Sequence, residues 1–287
     1  MRPRAGYDRF ALSVGVLCGL LAARAWALER FPPPDFEPGY TMPEAVLPAA
    51  SPAVGDWPAI AVMFGALSVG TFLVHRLRRR APMIALSAFC LAFFGFLRRG
   101  CVCPVGATQH VSLSLFGSGY AIPLTVAILF ALPLAFALLF GRVFCGGVCP
   151  LGAVQDLVLL RPLRLPDWLR SGLGLLPVLY LGVAVLYAAN GTGFLICRYD
   201  PFVSLFRLSG VTPMLWAGAA FVVLSMFVGR PYCRFLCPYG VLLALCSRWS
   251  WRRVRTTPDE CIVCSLCEDA CPFGAIEPPT PRGVPEE

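Results

Sequence analysis

Four cysteines near the C-terminal end follow one another at short, regular intervals. Cys261, Cys264 and Cys267 are separated by two residues each, and Cys271 follows after three more and precedes a proline. Thiolates at every third residue of a tight loop are typical ligands of a [4Fe–4S] cubane. Zinc is the alternative, but zinc sites usually separate two Cys-x-x-Cys pairs by a longer loop. The spacing therefore predicts a ferredoxin-type [4Fe–4S] unit.

Two further cysteine pairs repeat the end of this pattern. Cys145 and Cys149 are separated by three residues, as are Cys233 and Cys237, and a proline follows the second member of each pair. Together the two pairs supply four thiolates, the number that one cubane requires. Packing of buried cysteines at helix ends is the alternative, but the repeated spacing favours a second cluster.

A third set of cysteines lies in turns of the same plan. Cys101, Cys103 and Cys197 belong to it, and Asp200 precedes a proline where the other turns have a cysteine. With Asp200 or His110 as the fourth ligand, these thiolates are enough for a further cluster. A disulfide between Cys101 and Cys103 or between Cys103 and Cys197, or thiols without metal, explains the same residues. The sequence thus predicts two [4Fe–4S] clusters and leaves a third open.

The remaining cysteines are more ambiguous. Cys246 stands nine residues after Cys237 and either completes the ferredoxin-type cluster or packs against apolar neighbours. Cys18 and Cys90 lie within apolar blocks, where a cysteine is typical of packing. No metal role is predicted for these two.

The composition indicates that the cysteines belong to a membrane protein. Hydrophobic residues make up 57% of the 287 positions and charged residues only 14%, which is too little charge to cover a soluble domain of this size. The net charge is +8, and every basic residue is an arginine. These arginines flank apolar blocks. The positive-inside bias of membrane proteins therefore explains their distribution better than a nucleic-acid-binding surface does. No nucleic-acid partner is predicted.

The apolar residues fall into blocks of roughly bilayer length. The six predicted spans are residues 10–28, 57–75, 82–97, 120–140, 173–190 and 212–229. The predicted fold class is an all-α membrane protein of about six transmembrane helices with a small C-terminal ferredoxin-like unit. The first block also fits a signal peptide, because arginines precede it and Ala25-Trp26-Ala27 resembles a cleavage site. A retained anchor is favoured since Arg24 interrupts the small-residue region.

The spans divide the chain into regions. These are an N-terminal anchor at 1–28, an extracytoplasmic Pro-rich loop at 29–56, a membrane domain at 57–250 and a cytoplasmic ferredoxin-type domain with its tail at 251–287. Arginines are concentrated on one side of the spans, and the positive-inside bias places that side and both termini in the cytoplasm. The predicted location is the inner membrane of a bacterium. By this topology the two repeated pairs face the cytoplasm and the third set faces the opposite side.

Other cofactors are less consistent with the sequence. His75 and His110 are the only histidines, and the predicted topology puts them on opposite faces, whereas a transmembrane b-type haem needs axial ligands at one depth. The run at 105–108 resembles a flavin-attachment sequence but lacks its acidic residue. Neither haem nor covalent flavin is predicted.

The repeated cysteine pairs resemble those of the membrane iron–sulfur family that includes NosR and NapH. Members share spans that end in Gly-Arg-x-x-Cys-x-x-x-Cys-Pro, which here occupies 141–150 and 229–238, and a C-terminal ferredoxin-type unit. The resemblance covers about residues 57–280 and implies electron transfer between the quinol pool or a cytoplasmic donor and a partner across the membrane. The loop at 29–57 is too short for the flavin domain of NosR-like members, and one ferredoxin motif stands where the common form has two. A separate flavoprotein or extracytoplasmic partner fits these departures.

The predicted function is therefore that of a membrane-bound iron–sulfur electron-transfer protein, in which the protein positions the clusters and the clusters supply the chemistry. A quinol dehydrogenase subunit of a respiratory reductase system is one alternative. No residues mark a quinone pocket, and Tyr199, Tyr239 and Trp249 are typical of interfacial anchors. A redox-sensing or maturation protein is the other alternative.

Overall fold

The computed structural model describes residues 56–77, 79–98, 100, 104–116, 120–160, 163, 165–190, 194–207 and 212–252. The predicted N-terminal anchor, the Pro-rich loop before residue 56 and the ferredoxin-type unit lie outside the described residues. Every regular element within the described ranges is a helix, as the predicted all-α class requires.

Twelve α-helices follow one another in the described part of the chain. In order they are α1 (Trp57–Phe72), α2 (Arg80–Cys90), α3 (Pro104–Phe116), α4 (Leu124–Phe140), α5 (Pro150–Leu157), α6 (Asp167–Leu173), α7 (Leu176–Ala189), α8 (Leu195–Tyr199), α9 (Pro201–Arg207), α10 (Thr212–Ser225), α11 (Pro231–Phe235) and α12 (Pro238–Arg248). Wider turns of π-helix extend α1 over Leu73–Leu77 and α2 over Leu91–Leu97. A third π-turn, Phe144–Val148, stands between α4 and α5. Such turns are frequent at functional sites.

Three helices in the described part of the chain are long and apolar enough to cross a membrane. They occupy Trp57–Leu77, Arg80–Leu97 and Trp168–Ala189 and confirm the predicted spans at 57–75, 82–97 and 173–190. The predicted spans at 120–140 and 212–229 correspond to the shorter apolar helices Leu124–Phe140 and Pro213–Ser225. The chain is a helical membrane protein, and three of its six predicted spans are confirmed.

The outward surface of α1 and α2 is strongly apolar. Phe64 and Phe72 on α1 and Ile84 and Phe89 on α2 are each more than half exposed. A contiguous surface of this kind is a liability in water, whereas lipid tails cover it without cost. The exposed phenylalanines therefore fit helices that face the bilayer.

The hairpin of α1 and α2 supports the π-turn at Phe144–Val148. Gly70 of α1 lies against Val143 and Val148. Gly147, which belongs to the π-turn itself, lies close to α2. A Cβ atom at Gly147 would lie 2.6 Å from the Cε atom of Met83. Small residues let backbones approach closely in membrane proteins. The two glycines thus allow the turn to pack against the hairpin.

Several helices begin at a proline that directly follows a candidate ligand. α3, α5, α9 and α12 begin in this way, after Cys103, Cys149, Asp200 and Cys237 respectively. Proline is favourable at the first helical position because an N–H there would lack an intrahelical partner. It also keeps the preceding residue extended. Cys149, Asp200 and Cys237 therefore lie beside the free N–H groups of the helices that follow them.

We expect Gly218→Ala to weaken the packing of α10 on α9. A Cβ at Gly218 would lie 2.7 Å from the backbone carbonyl oxygen of Pro201, and a backbone atom cannot rotate away. Overpacking of this kind costs about 1–3 kcal/mol, which a lower thermal midpoint in detergent would report. The control is Gly65→Ala on α1, where a Cβ has no neighbour within 4 Å. Equal midpoints for the two variants would contradict the prediction.

Candidate metal centre

Cys149 and Cys237 precede α5 and α12 in the same backbone conformation. Cys149 has φ −68° and ψ 118°, and Cys237 has φ −68° and ψ 110°. Backbone N–H groups at the helix starts donate to the sulfur atoms, those of Leu151 and Gly152 to Cys149 and that of Gly240 to Cys237. A helix N-terminus stabilises negative charge. Both positions are therefore suited to a thiolate.

Cys145 and Cys233 complete the set from the turns that precede these helices. Cys145 lies in the π-turn Phe144–Val148 and Cys233 lies in α11. Cys145, Cys149 and Cys233 lie near enough to Cys237 for their charge to raise the pKa of its thiol. All four are free thiols. The structure thus brings together the four cysteines that the repeated spacing grouped.

Burial disfavours the charged form of these thiols. The pKa of Cys149 is raised to about 12, chiefly by burial and then by the neighbouring Cys145. Burial likewise raises the pKa of Cys233 and Cys237 well above the ordinary value. Metal binding requires deprotonated thiolates, and the positive charge of the metal compensates them. Four free thiols, two of them buried and two half-buried, are therefore consistent with ligands that ionise on binding metal.

Arg230 connects the two cysteine turns. Its Nε donates to Oδ1 of Asp156 in α5 at 2.6 Å, and its Nη1 donates to the carbonyl oxygen of Cys145. The side chain of Arg230 is only 13% exposed. Its positive charge partly offsets the effect of burial on the pKa of Cys145 and Cys149. Arg230 therefore both braces the site and places a cation beside it.

Gln155 contacts the site with both ends of its fully buried amide. Its Oε1 accepts the backbone N–H of Tyr232 at 3.1 Å. Its Nε2 donates to the carbonyl oxygen of Leu151 at 2.7 Å and to Sγ of Cys233 at 3.2 Å. Hydrogen bonds to ligand sulfurs tune the potential of iron–sulfur clusters. Gln155 is therefore placed to orient Cys233 and to stabilise charge on its sulfur.

We expect Gln155→Leu to lower the reduction potential of a cluster held by these thiols. The N–H···S bond stabilises the more negative, reduced state. A net contribution of about 1 kcal/mol corresponds to about 40 mV for a one-electron couple. Potentiometric titration monitored by EPR measures the shift, and the iron content should stay unchanged. A potential equal to that of the wild type would refute this role.

The donor set consists of four cysteine thiols, which are the ligands that a [4Fe–4S] cubane takes. When bound, such a cluster takes up and releases an electron.

Several known proteins resemble this chain over much of its length. Protein NirI of Paracoccus denitrificans is 29% identical over 83% of this chain and 40% of NirI. Regulatory protein NosR of Pseudomonas aeruginosa is 31% identical over 72% of this chain and 32% of NosR. Methylamine utilization ferredoxin-type protein MauN of P. denitrificans is 31% identical over 52% of this chain and 55% of MauN. The chain therefore spans less than two thirds of each of these relatives.

Two family models, both described as a 4Fe-4S binding domain, match the chain. The first matches residues 122–175 and 209–257, which include the four cysteines of the candidate centre, and the second matches residues 254–277. The chain is a NosR/NapH-type [4Fe–4S] protein. No solved structure matches it.

The structure describes only some of the other predicted ligands of this NosR/NapH-type protein. Those outside the described residues are Cys101, Cys103, Cys261, Cys264, Cys267 and Cys271. Cys197 belongs to α8, but its side chain is outside the description. Cys246 lies on α12, half-buried against the apolar core, which agrees with the packing interpretation. Tyr239 is buried and donates its hydroxyl to the carbonyl oxygen of Phe130 at 2.7 Å.

Asp200 and His110, the candidate fourth ligands of the third set, have different surroundings. Asp200 is 2% exposed, and its Oδ1 accepts the N–H of Phe202 at 2.9 Å. Burial raises the pKa of this carboxyl to about 6. His110 has its Nδ1 2.7 Å from the Tyr120 hydroxyl oxygen, and its ring contacts Phe194 with centroids 4.6 Å apart. Both candidates line one cavity of about 140 Å³.

Sequence reasoning missed the roles of Gln155 and Arg230. A signal for Gln155 was present, because residues 103–109 and 149–155 share Cys-Pro-x-Gly-Ala-x-Gln. Arg230 stands in the recurrent Gly-Arg step before a cysteine pair, but nothing local to it indicates Asp156 as its partner. Arg230 and Asp156 are far apart in the chain, so only the tertiary structure brings them together.

Proposed function

We propose that this chain is a membrane-bound iron–sulfur electron-transfer protein that exchanges electrons between a cytoplasmic or quinol donor and a partner in the membrane or on its outer side. The observation that supports the proposal is the grouping of Cys145, Cys149, Cys233 and Cys237, with the Arg230 guanidinium beside the first three. These cysteines are the proposed ligands of one [4Fe–4S] cluster. Buried thiols with N–H donors aimed at sulfur are suited to holding a cluster and setting its potential.

A second cluster is proposed in the ferredoxin-type unit, with the cysteines at 261, 264, 267 and 271 as candidate ligands. The path of the chain supports exchange between this unit and the first centre. The N–H of Trp251 donates to the carbonyl oxygen of Leu138 at 3.1 Å, and that of Arg252 to Leu139 at 3.0 Å. These bonds anchor the start of the unit at the end of α4, close in sequence to Cys145.

The proposed setting is the inner membrane of a bacterium, with both termini in the cytoplasm. The arginine distribution supports this orientation through the positive-inside bias. Cys101, Cys103 and Cys197 are the proposed ligands of a third centre, on the opposite side. The quinone pool, a separate flavoprotein and an extracytoplasmic redox protein are the proposed classes of partner.

The test is anaerobic purification in detergent, followed by iron and acid-labile sulfide counts and EPR after dithionite. Two clusters predict about eight irons per chain and three predict about twelve. Rapid mixing with menaquinol and then an oxidant measures whether the clusters cycle. Fast, reversible cycling supports electron transfer. A preparation without iron contradicts the proposal, and loss of iron to a client protein without cycling would favour a maturation role instead.

A further inference from the structure

Exposed arginines lie together at one end of the described helices, around the segment that leads into Cys145. This arginine face consists of Arg76, Arg79, Arg80, Arg142 and Arg252. The end of α1 reaches it, because the ring centroid of His75 lies 6.0 Å from that of Phe140 at the end of α4. The N–H of Arg252 donates to the carbonyl oxygen of Leu139, in the same helix, at 3.0 Å. The face therefore joins the ends of α1 and α4 to the last described residue of the chain.

The start of α2 belongs to the same face. Arg80 is the first residue of α2, and Arg79 directly precedes it. Met83, in the first turn of this helix, lies against Gly147 of the π-turn Phe144–Val148. The π-turn contains Cys145, so Arg79 and Arg80 approach the candidate centre from the side of α2.

Arg142 places a positive charge directly beside the candidate centre. Burial raises the pKa of the Cys145 thiol, and the charge of Arg142 partly opposes this rise. The Nη2 atom of Arg142 also donates to the carbonyl oxygen of Gly240 at 3.3 Å. The N–H of Gly240 in turn donates to the sulfur of Cys237. A partner bound at the arginine face is therefore a neighbour of these thiols.

The described carboxylates do not neutralise this face. Asp56, at the opposite end of α1, pairs with Arg98 at 3.6 Å, and Asp156 pairs with Arg230. Asp200 is 2% exposed. Between residues that the structure describes, no ion pair involves an arginine of the face. An uncompensated basic surface attracts an anionic partner.

The segment that follows the face in the chain carries the opposite charge. Residues 256–277 contain five acidic residues and no basic residue. The acidic residues are Asp259, Glu260, Glu268, Asp269 and Glu277. The same segment contains the four ferredoxin-type cysteines and falls within the second match to a 4Fe-4S binding domain. An acidic unit and a basic face are electrostatically complementary.

The tether between the unit and the face is short. Eight residues separate Arg252 from Cys261, and an extended chain spans at most about 3.3–3.6 Å per residue. The tether thus limits the distance between these two residues to roughly 30 Å. A short tether gives an effective concentration on the order of millimolar. A weak attraction is then enough to hold the unit against the face.

We propose that the acidic ferredoxin-type unit of this chain docks on the arginine face. The inference rests on the proposed function and deepens it, because it names the surface across which the two clusters exchange an electron. In this exchange one cluster is oxidised and the other is reduced by one electron. Electron transfer slows steeply with distance, so docking beside Arg142 and Cys145 keeps the exchange fast.

Anionic lipid headgroups are the alternative occupant of the face. Arginines and exposed tryptophans are typical of membrane interfaces, and Trp251 is 86% exposed. The tether favours the unit, because it holds five carboxylates near the face in every copy of the chain.

The first test uses the absence of lysine from the chain. Arg80→Lys keeps the charge and introduces a single side-chain amine into the purified full-length protein. A carbodiimide couples this amine to a carboxylate in contact with it, forming an amide while the carbodiimide takes up the water. Peptide mass spectrometry is expected to find the amide between position 80 and a carboxylate of residues 256–277.

The matched control for the coupling is Arg207→Lys. Arg207 is exposed, and the preceding residue, Phe206, contacts Phe96 with ring centroids 5.6 Å apart. Phe96 belongs to the π-helical extension at the opposite end of α2 from Arg80. No coupling to residues 256–277 is expected from position 207.

The second test is charge reversal. Arg79→Glu combined with Arg80→Glu is expected to slow electron exchange between the clusters about tenfold at low ionic strength, with unchanged iron content. Adding Asp259→Arg and Glu260→Arg to this protein is expected to restore the rate. Salt at about 1 M, where the Debye length falls to about 3 Å, is expected to slow the wild type. Rapid-freeze EPR measures the exchange.

The outcomes separate the docking from the proposed function. No coupling at position 80, equal coupling at positions 80 and 207, or an exchange rate that charge reversal leaves unchanged overturns the docking. About eight irons per chain in the same preparations would preserve the proposed function, whereas a preparation without iron contradicts both. Charge reversal that releases bound anionic phospholipid, with no coupling at position 80, overturns the docking and assigns the face to lipid. The conservative Arg80→Lys variant keeps the test decisive if the charge-reversed protein fails to fold.

Discussion

Cys237→Ser is expected to remove about four irons and four sulfides from each purified chain. Cys237 is buried, and N–H donation by Gly240 together with three neighbouring thiols marks it as a member of the candidate centre. A serine hydroxyl there has no thiolate to offer, and the other three thiols cannot complete four corners. The measurement is iron and sulfide per protein, with EPR to identify the signal that disappears.

The matched control for this variant is Cys246→Ser. Cys246 lies on the same helix, α12, and is a half-buried free thiol outside the group of four. Its replacement is expected to leave the iron content and spectra unchanged. Equal iron in Cys237→Ser and the wild type would mean that the four thiols hold no cluster.

Arg230→Gln is expected to destabilise the membrane domain and to weaken iron binding at the same centre. The variant leaves the Asp156 carboxylate without its partner and the Cys145 carbonyl oxygen without its donor. Breaking a buried ion pair typically costs about 3–5 kcal/mol, and the partial exposure of Asp156, 37%, reduces the expected loss to about 2 kcal/mol. The midpoint of thermal denaturation in detergent and the iron content after purification measure the two effects.

Arg142→Gln provides the comparison, because Arg142 occupies the equivalent Gly-Arg step of the other cysteine pair. Its Nη2 makes an exposed hydrogen bond of 3.3 Å to the carbonyl oxygen of Gly240. An exposed contact of this kind contributes little to stability, so a small change is expected. A similar loss in both arginine variants would argue against a special role for the Arg230–Asp156 pair.

Local chemistry explains why the cysteine grouping was predictable. A proline after Cys149 or Cys237 starts a helix and keeps the cysteine extended, so each sulfur lies beside free N–H groups. Two such turns with the same spacing supply four thiols, and the structure brings these four together. The all-α class was predictable for a similar reason, since apolar blocks of bilayer length form helices when their backbone groups must be satisfied internally.

Helix lengths were less predictable from hydropathy. The predicted span at 120–140 becomes a helix that begins at Leu124 after Pro123 and ends at Phe140, before Gly141 with its φ of 77°. The predicted span at 212–229 ends as a helix at Ser225 and continues as turns. Hydropathy averaged over a window of residues does not show where these helices end, because each end depends on the backbone conformation of single residues.

The sequence by itself determined the type and number of candidate ligands, their local spacing and the membrane environment, because each depends on residues that are close together in the chain. The tertiary structure decided which side chains support them. Arg230 pairs with Asp156 across 74 residues, and Gln155 reaches the sulfur of Cys233 across 78. Such contacts exist only when α5 packs beside the turn into α11. No local pattern specifies that arrangement.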